Sequence, residues 1–125
     1  MRNAIATKDA PQAIGPYSQG IRAGNMLFVS GQGHLDPETG ALVTGDVATM
    51  TRRVMDNIGA ILQAAGASFD HVVRTTVYLA DMGDFAAMNA VYGEYFSAPA
   101  PARTTIQAAR LPRDMRVEID VIATL

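Results

Sequence analysis

The sequence predicts an α+β domain of two layers, a mixed β-sheet with two helices on one face, in the order β-β-β-α-β-α-β-β. Three observations carry that prediction. Apolar residues recur at helical period through Asp46–Ala65. Val72–Ala80 and Arg116–Thr124 are rich in β-branched residues, and the second alternates apolar with polar. Glycine and proline cut the rest into short segments. Two helices cover only one face of a single sheet, so the other face needs a cover of its own, which a second copy of the chain commonly supplies.

Each element has its own signal. Gly24-Asn25 separates the apolar stretches Tyr17–Ala23 and Met26–Ser30, the pattern of a hairpin. Asp36-Pro37-Glu38-Thr39-Gly40 is a second turn, with proline suited to its second position. In the first helix Val47, Met50, Val54, Ile58, Ile61, Leu62 and Ala65 form the apolar stripe, and Gly66 ends it. In the strand that follows, Val73, Thr75, Val77 and Leu79 are expected on one face. Asp81 or Asp84 is placed to cap a second helix with Phe85, Met88, Tyr92, Tyr95 and Phe96 as its stripe. Ala98-Pro99-Ala100-Pro101 breaks it, and Thr104–Ala108 and Arg116–Thr124 read as the closing strands.

At 125 residues the chain is expected to be one domain, residues 1–125. Apolar residues make up 49% and charged residues 18%, an ordinary globular balance. Cysteine is absent, which excludes disulfides, thiolate nucleophiles and cysteine-ligated metals. His34 and His71 lack further ligands at metal-binding spacing, so no metal is expected. No run approaches the ~20 apolar residues of a membrane span, and Met1–Asp9 has no apolar core of a secretory signal, so a cytoplasmic protein is expected. The net charge of −2 argues against a general nucleic-acid binder, although Arg110, Arg113 and Arg116 form a local basic group.

Four places invite chemistry. In the last strand Val117, Ile119, Val121 and Ala123 share the core face, leaving Arg116, Glu118 and Asp120 on the other. Charges there suit a solvated face, a structural ion pair or a polar pocket at a subunit boundary. Arg103 follows a proline-bounded loop with small neighbours, Ala102 and Thr104; it is either an ordinary surface arginine or a guanidinium fork presented to a carboxylate. Tyr17 is aimed by the turn Gly15-Pro16, and Ser30-Gly31 ends a strand where glycine permits close approach of a ligand or another chain. The spacing of a phosphate loop is missing, and the methionines, among them Met50, Met55 and Met88, suit core filling.

Taken in order, these pieces resemble the YjgF/RidA family along nearly the whole chain. The matching blocks are Ala10-Pro11, Ile14-Gly15-Pro16-Tyr17-Ser18-Gln19-Gly20, Gly24-Asn25-Met26, Val29-Ser30-Gly31-Gln32, Asp56-Asn57-Ile58, Ala64-Ala65-Gly66-Ala67-Ser68, Val73-Arg74-Thr75-Thr76-Val77-Tyr78-Leu79, Pro101-Ala102-Arg103, Ala109-Arg110-Leu111-Pro112 and Val117-Glu118-Ile119. The resemblance implies a chorismate-mutase-like fold, a homotrimer with sites between subunits, and hydrolysis of 2-imino acids and their enamine tautomers, such as 2-aminoacrylate, to 2-ketoacids and ammonia without metal or organic cofactor. It implies that the catalytic residues are Arg103, which grips the substrate carboxylate, Glu118, which holds and polarises the attacking water, and Tyr17, a pocket wall and hydrogen-bonding group from the neighbouring chain. Ser30 and Gly31 would line the cleft, and the Thr105 backbone amide would assist Arg103. Proximity of Arg103 is expected to favour the charged form of Glu118. The position two after the arginine, commonly cysteine in the family's core deaminases, is Thr105; the position directly after the arginine, where a smaller residue such as serine is usual, is Thr104; the loop Ser97–Ala100 is shortened. Competing readings are a trimer that binds 2-ketoacids or similar carboxylates without turnover, a ribonuclease or translation inhibitor, and a scaffold.

Overall fold

A computed structural model describes residues 1–125. Its elements are β1 (Asn3–Ile5), β2 (Gly20–Ala23), β3 (Met26–Gly33), α1 (Val47–Ala64), β4 (Val72–Leu79), α2 (Phe85–Tyr92), β5 (Ala102–Gln107) and β6 (Val117–Thr124), with short 3-10 turns between some of them. The order is the one the sequence predicts. The six strands form a single mixed sheet, β1-β2-β3-β6-β4-β5, in which β4 and β5 are the parallel pair. No helix is long and apolar enough to cross a membrane.

The core lies between the sheet and the helices. Leu27 and Val29 of β3, Val77 and Leu79 of β4, and Val117, Ile119, Val121 and Ala123 of β6 pack with Val54, Met55, Ile58, Ile61 and Leu62 of α1 and Met88 of α2. Each fully buried Ile or Leu contributes roughly 1.5–3 kcal/mol through removal of apolar surface from water. Asp46 starts α1 by accepting a hydrogen bond from the Thr49 amide at 2.8 Å. Gly66, at φ +77°, follows the helix end in the left-handed conformation that glycine adopts without strain.

Three local expectations are corrected. The strand expected from Tyr17 begins at Gly20, because Gly15-Pro16 and the hydrogen bonds of Gln19 hold residues 17–19 as loop. Val73 does not share the core face of β4: the pairing with β6 shifts between Val72 and Arg74, so Val72 is buried and Val73 exposed. Asp81 caps the 3-10 turn before α2 by accepting from the Gly83 amide, whereas Asp84, next to α2, makes no cap bond and holds Arg116 instead.

The opposite sheet face carries no helix. Phe28 and Ile106 are exposed on it, with Tyr78, Glu118, Asp120 and Ile122 half-buried, and the Tyr78 hydroxyl donates to Asp120 at 3.1 Å. Register fixes which side chains share it. Glu118 lies opposite Tyr78, and Tyr78 opposite Ile106. Arg103 lies opposite Thr75 and Thr105 opposite Val77, both core positions.

Candidate functional site

The first half of the site is a cleft of about 440 Å³ walled by Tyr17, Gly31, Gly33, Leu35, Met115 and Glu118 among others. Tyr17 is half-exposed, and its Oη accepts a hydrogen bond from the Ile14 amide at 3.3 Å, closing the turn that aims it. Ser30 faces away from a ligand role by side chain: its hydroxyl donates to the Ser18 carbonyl at 2.6 Å, fastening the Tyr17 loop to β3. Gly31 is where glycine is required. A Cβ there would run into the Glu118 carboxylate. At Gly33 a Cβ would meet the Met115 thioether, so these glycines let β6 side chains lie across β3.

Glu118 receives no hydrogen bond from the protein. Burial raises its pKa above the ordinary carboxylate range, and the nearby Asp120 charge raises it further. The expectation that Arg103 would keep it charged is therefore corrected for a single chain. Arg103 points to the helix face of the sheet and Glu118 to the other, so the sheet lies between them.

Arg103 occupies the second half. Its Nη1 donates to Asn89 Oδ1 at 2.7 Å, and its Cζ lies 4.8 Å from the Tyr92 ring centroid and 5.5 Å from that of Phe85. It is half-buried yet has no carboxylate partner, unlike Arg52 with Glu94, Arg110 with Asp114 and Arg116 with Asp84. Thr105 is on the same face, with a buried hydroxyl that has no partner. Thus Tyr17, Gly31 and Glu118 are brought together with Ser30 behind them, while Arg103 and Thr105 stand apart on the other face. The basic group Arg110, Arg113 and Arg116 is not a patch. Arg110 and Arg116 are neutralised as above, and Arg113 donates to the Gly40 carbonyl at 3.0 Å.

Sequence reasoning missed several supporting residues. Gln19, buried, joins Thr7, Ala10 and Pro11 to the Tyr17 loop through four hydrogen bonds. Asn57 of α1 donates to the carbonyls of Gly33 and Leu35. Between those two, His34 is 3% exposed; its Nδ1 donates to the Val43 carbonyl at 2.9 Å and its Nε2 accepts from the Arg116 amide at 3.0 Å. Burial, opposed by the Val43 bond and helped by the Arg116 charge, lowers its pKa from 6.5. Asn89 was detectable, since Phe85, Asn89 and Tyr92 fall at i, i+4 and i+7 on one helix face. No three potential metal-ligating side chains converge.

The sheet thus bears a guanidinium without a carboxylate partner on one face and a cleft carboxylate of raised pKa on the other. Residues 7–125 match the model of a family described as Endoribonuclease L-PSP. A mouse 2-iminobutanoate/2-iminopropanoate deaminase is 49% identical over 123 residues, covering 98% of this chain and 91% of that protein. The crystal structure of the Escherichia coli YjgF gene product superposes with a TM-score of 0.93 at 46% identity, and that of E. coli TdcF with bound serine with 0.94 at 42%; each pair is matched over 98% of both chains. The chain belongs to the YjgF/RidA family and has its chorismate-mutase-like fold.

Proposed function

We propose that the protein is an imine deaminase, converting 2-imino acids and their enamine tautomers to 2-ketoacids and ammonia, at sites completed between neighbouring copies of a homotrimer. The observation that carries this reading is the separation of Arg103 and Glu118 on opposite sheet faces, each without an opposite charge from its own chain. The named activity of the mouse relative and the serine held by TdcF support it: both involve small amino-acid-derived acids.

In this reading Arg103 of one copy binds the carboxylate through two parallel hydrogen bonds, assisted by the Thr105 amide. The next copy contributes Tyr17 as a wall, Gly31 as lining and Glu118, with Ser30 fastening the Tyr17 loop behind them. The Glu118 carboxylate takes one proton from water as the water oxygen bonds to C2 of the protonated imine and the C=N π pair moves to nitrogen, giving an amine. The carboxyl returns that proton to the nitrogen, the carbinolamine hydroxyl proton passes to the freed carboxylate as the C–N bond breaks and C=O forms, and that last proton leaves with the ammonia as ammonium, which restores the base. A carboxyl whose pKa burial raises suits both transfers, as base and then as acid. Turnover requires the ionised base, so activity falls as pH drops through the pKa that Glu118 has in the assembled site.

The ribonuclease activity in the family description is disfavoured by the ion pairs that Arg110 and Arg116 make within the chain. Glu118 argues against simple carboxylate binding, which gains nothing from a second negative group. The test is release of ammonia from imines made in situ by an amino-acid oxidase. Glu118→Ala is expected to lose roughly 10²–10⁴-fold in kcat; an unchanged rate removes Glu118 from the mechanism.

A further inference from the structure

We infer that Tyr92, held by Thr75, is the positioning residue that orients Arg103 as a carboxylate anchor. This deepens the proposed function and rests on its assignment of Arg103. An arginine side chain carries about 2 kcal/mol of rotamer entropy, so an anchor needs something to fix the plane of its guanidinium. Here three groups do so. Asn89 Oδ1 takes one Nη1 hydrogen at 2.7 Å. Tyr92 lies against the cation at 4.8 Å and Phe85 at 5.5 Å. The aromatic contacts consume no N–H group, and neither Nε nor Nη2 makes a hydrogen bond within the protein. Those two nitrogens form an edge of the guanidinium that fits both oxygens of a carboxylate.

Tyr92 is itself fixed. It is 6% exposed, and its hydroxyl lies 2.8 Å from Oγ1 of the fully buried Thr75. Thr75 is the residue opposite Arg103 in the parallel β4–β5 register. The strand that sits beside the arginine therefore also ties down the ring on which the arginine lies. Phe85, Asn89 and Tyr92 come from one face of α2, so the helix presents ring, amide and ring to a single side chain. A tyrosine needed only for packing would be indifferent to what Arg103 does.

The experiment measures binding of 2-oxobutanoate by calorimetry and kcat and KM on oxidase-generated imines, for wild type, Tyr92→Leu, Tyr92→Phe, Arg103→Ala and the double variant Tyr92→Leu/Arg103→Ala. Loss of the ring weakens 2-oxobutanoate binding and raises KM by about 3- to 30-fold, the range of a partly desolvated cation–π contact, with a smaller change in kcat. Tyr92→Phe keeps the ring but frees it from Thr75, and its loss falls between wild type and Tyr92→Leu. In the Arg103→Ala background Tyr92→Leu adds nothing, because its effect passes through the arginine. Additive losses in the double variant, or wild-type binding by a folded Tyr92→Leu, overturn the inference while leaving Arg103 as anchor. If Tyr92→Leu fails to fold, Phe85→Leu and Asn89→Ala are put through the same cycle, and additivity there overturns it equally. Arg103→Ala that binds 2-oxobutanoate as wild type does, or wild-type protein that neither binds nor hydrolyses these acids, overturns the assignment of Arg103 and the inference with it.

Discussion

Two inactive variants are expected to restore each other. In a 2-imino acid the carboxylate carbon and the imine carbon are directly bonded, about 1.5 Å apart. Arg103 and Glu118 of one chain face opposite sides of the sheet and cannot reach two such neighbouring atoms. On the proposed reaction, a productive site therefore takes Arg103 from one copy and Glu118 from the next. Arg103→Ala removes a charge-assisted pair of hydrogen bonds worth up to about 3 kcal/mol, a loss of roughly 10²-fold, and Glu118→Ala loses at least as much. When equal amounts of the two variants are unfolded together and refolded, subunits mix at random around a ring of head-to-tail interfaces. A site is intact when its arginine comes from an Glu118→Ala chain and its glutamate from an Arg103→Ala chain, each with even odds, so about one quarter of the sites recover. Ammonia release is then expected to rise from about 1% to about 25% of wild type, against unmixed controls refolded in the same way. If both groups acted from one chain, no mixture would contain an intact site. Activity that stays at the level of the unmixed variants refutes the reasoning.

Two further outcomes follow from Gly31 and from His34. Gly31→Ala is expected to displace the Glu118 carboxylate, whose flexible end is what the added Cβ meets, so kcat falls roughly 10²-fold while unfolding free energy changes by less than about 1 kcal/mol; an active Gly31→Ala protein rejects the placement of Glu118. His34 is held neutral by burial, with a folded pKa below 6.5, so its contribution to stability is fully present above that value and is lost as pH falls toward the folded pKa. Denaturation followed from about pH 7.5 to about pH 5 should lose up to ~1.4 kcal/mol per pH unit from this group; a His34→Gln slope equal to that of wild type dismisses it.

The element order was legible because periodicity is local: the stripe of α1 and the alternation of β6 depend only on their own residues. What was not legible depends on pairing between distant segments. Val73 follows the alternation of β4 on paper, but a register shift against β6 turns it outward, and nothing in Val72-Val73-Arg74 announces a bulge. The faces taken by Arg103 and Glu118 were hidden in the same way. Each was recognisable from the blocks around it, yet which face it takes is set by the parallel pairing of Arg103 with Thr75 and the antiparallel pairing of Glu118 with Tyr78. His34, similarly, gains its role from Val43 and Arg116, residues it meets only after folding.

That failure bears on the chemistry. The core closes within one chain, since the buried residues of β3, β4 and β6 pack against α1 and α2 without help from another copy. Assembly is thus not needed to form the hydrophobic core; on the proposed reaction it is needed to bring anchor and base together. A carboxylate left alone in a cleft keeps a raised pKa, and a guanidinium arriving from a neighbour lowers it, because an opposite charge favours the ionised form. Assembly would therefore also shift Glu118 toward the ionised form that turnover requires. Dilution below the assembly range should then abolish turnover before it unfolds the chain, with activity disappearing while the far-ultraviolet dichroism of sheet and helices persists.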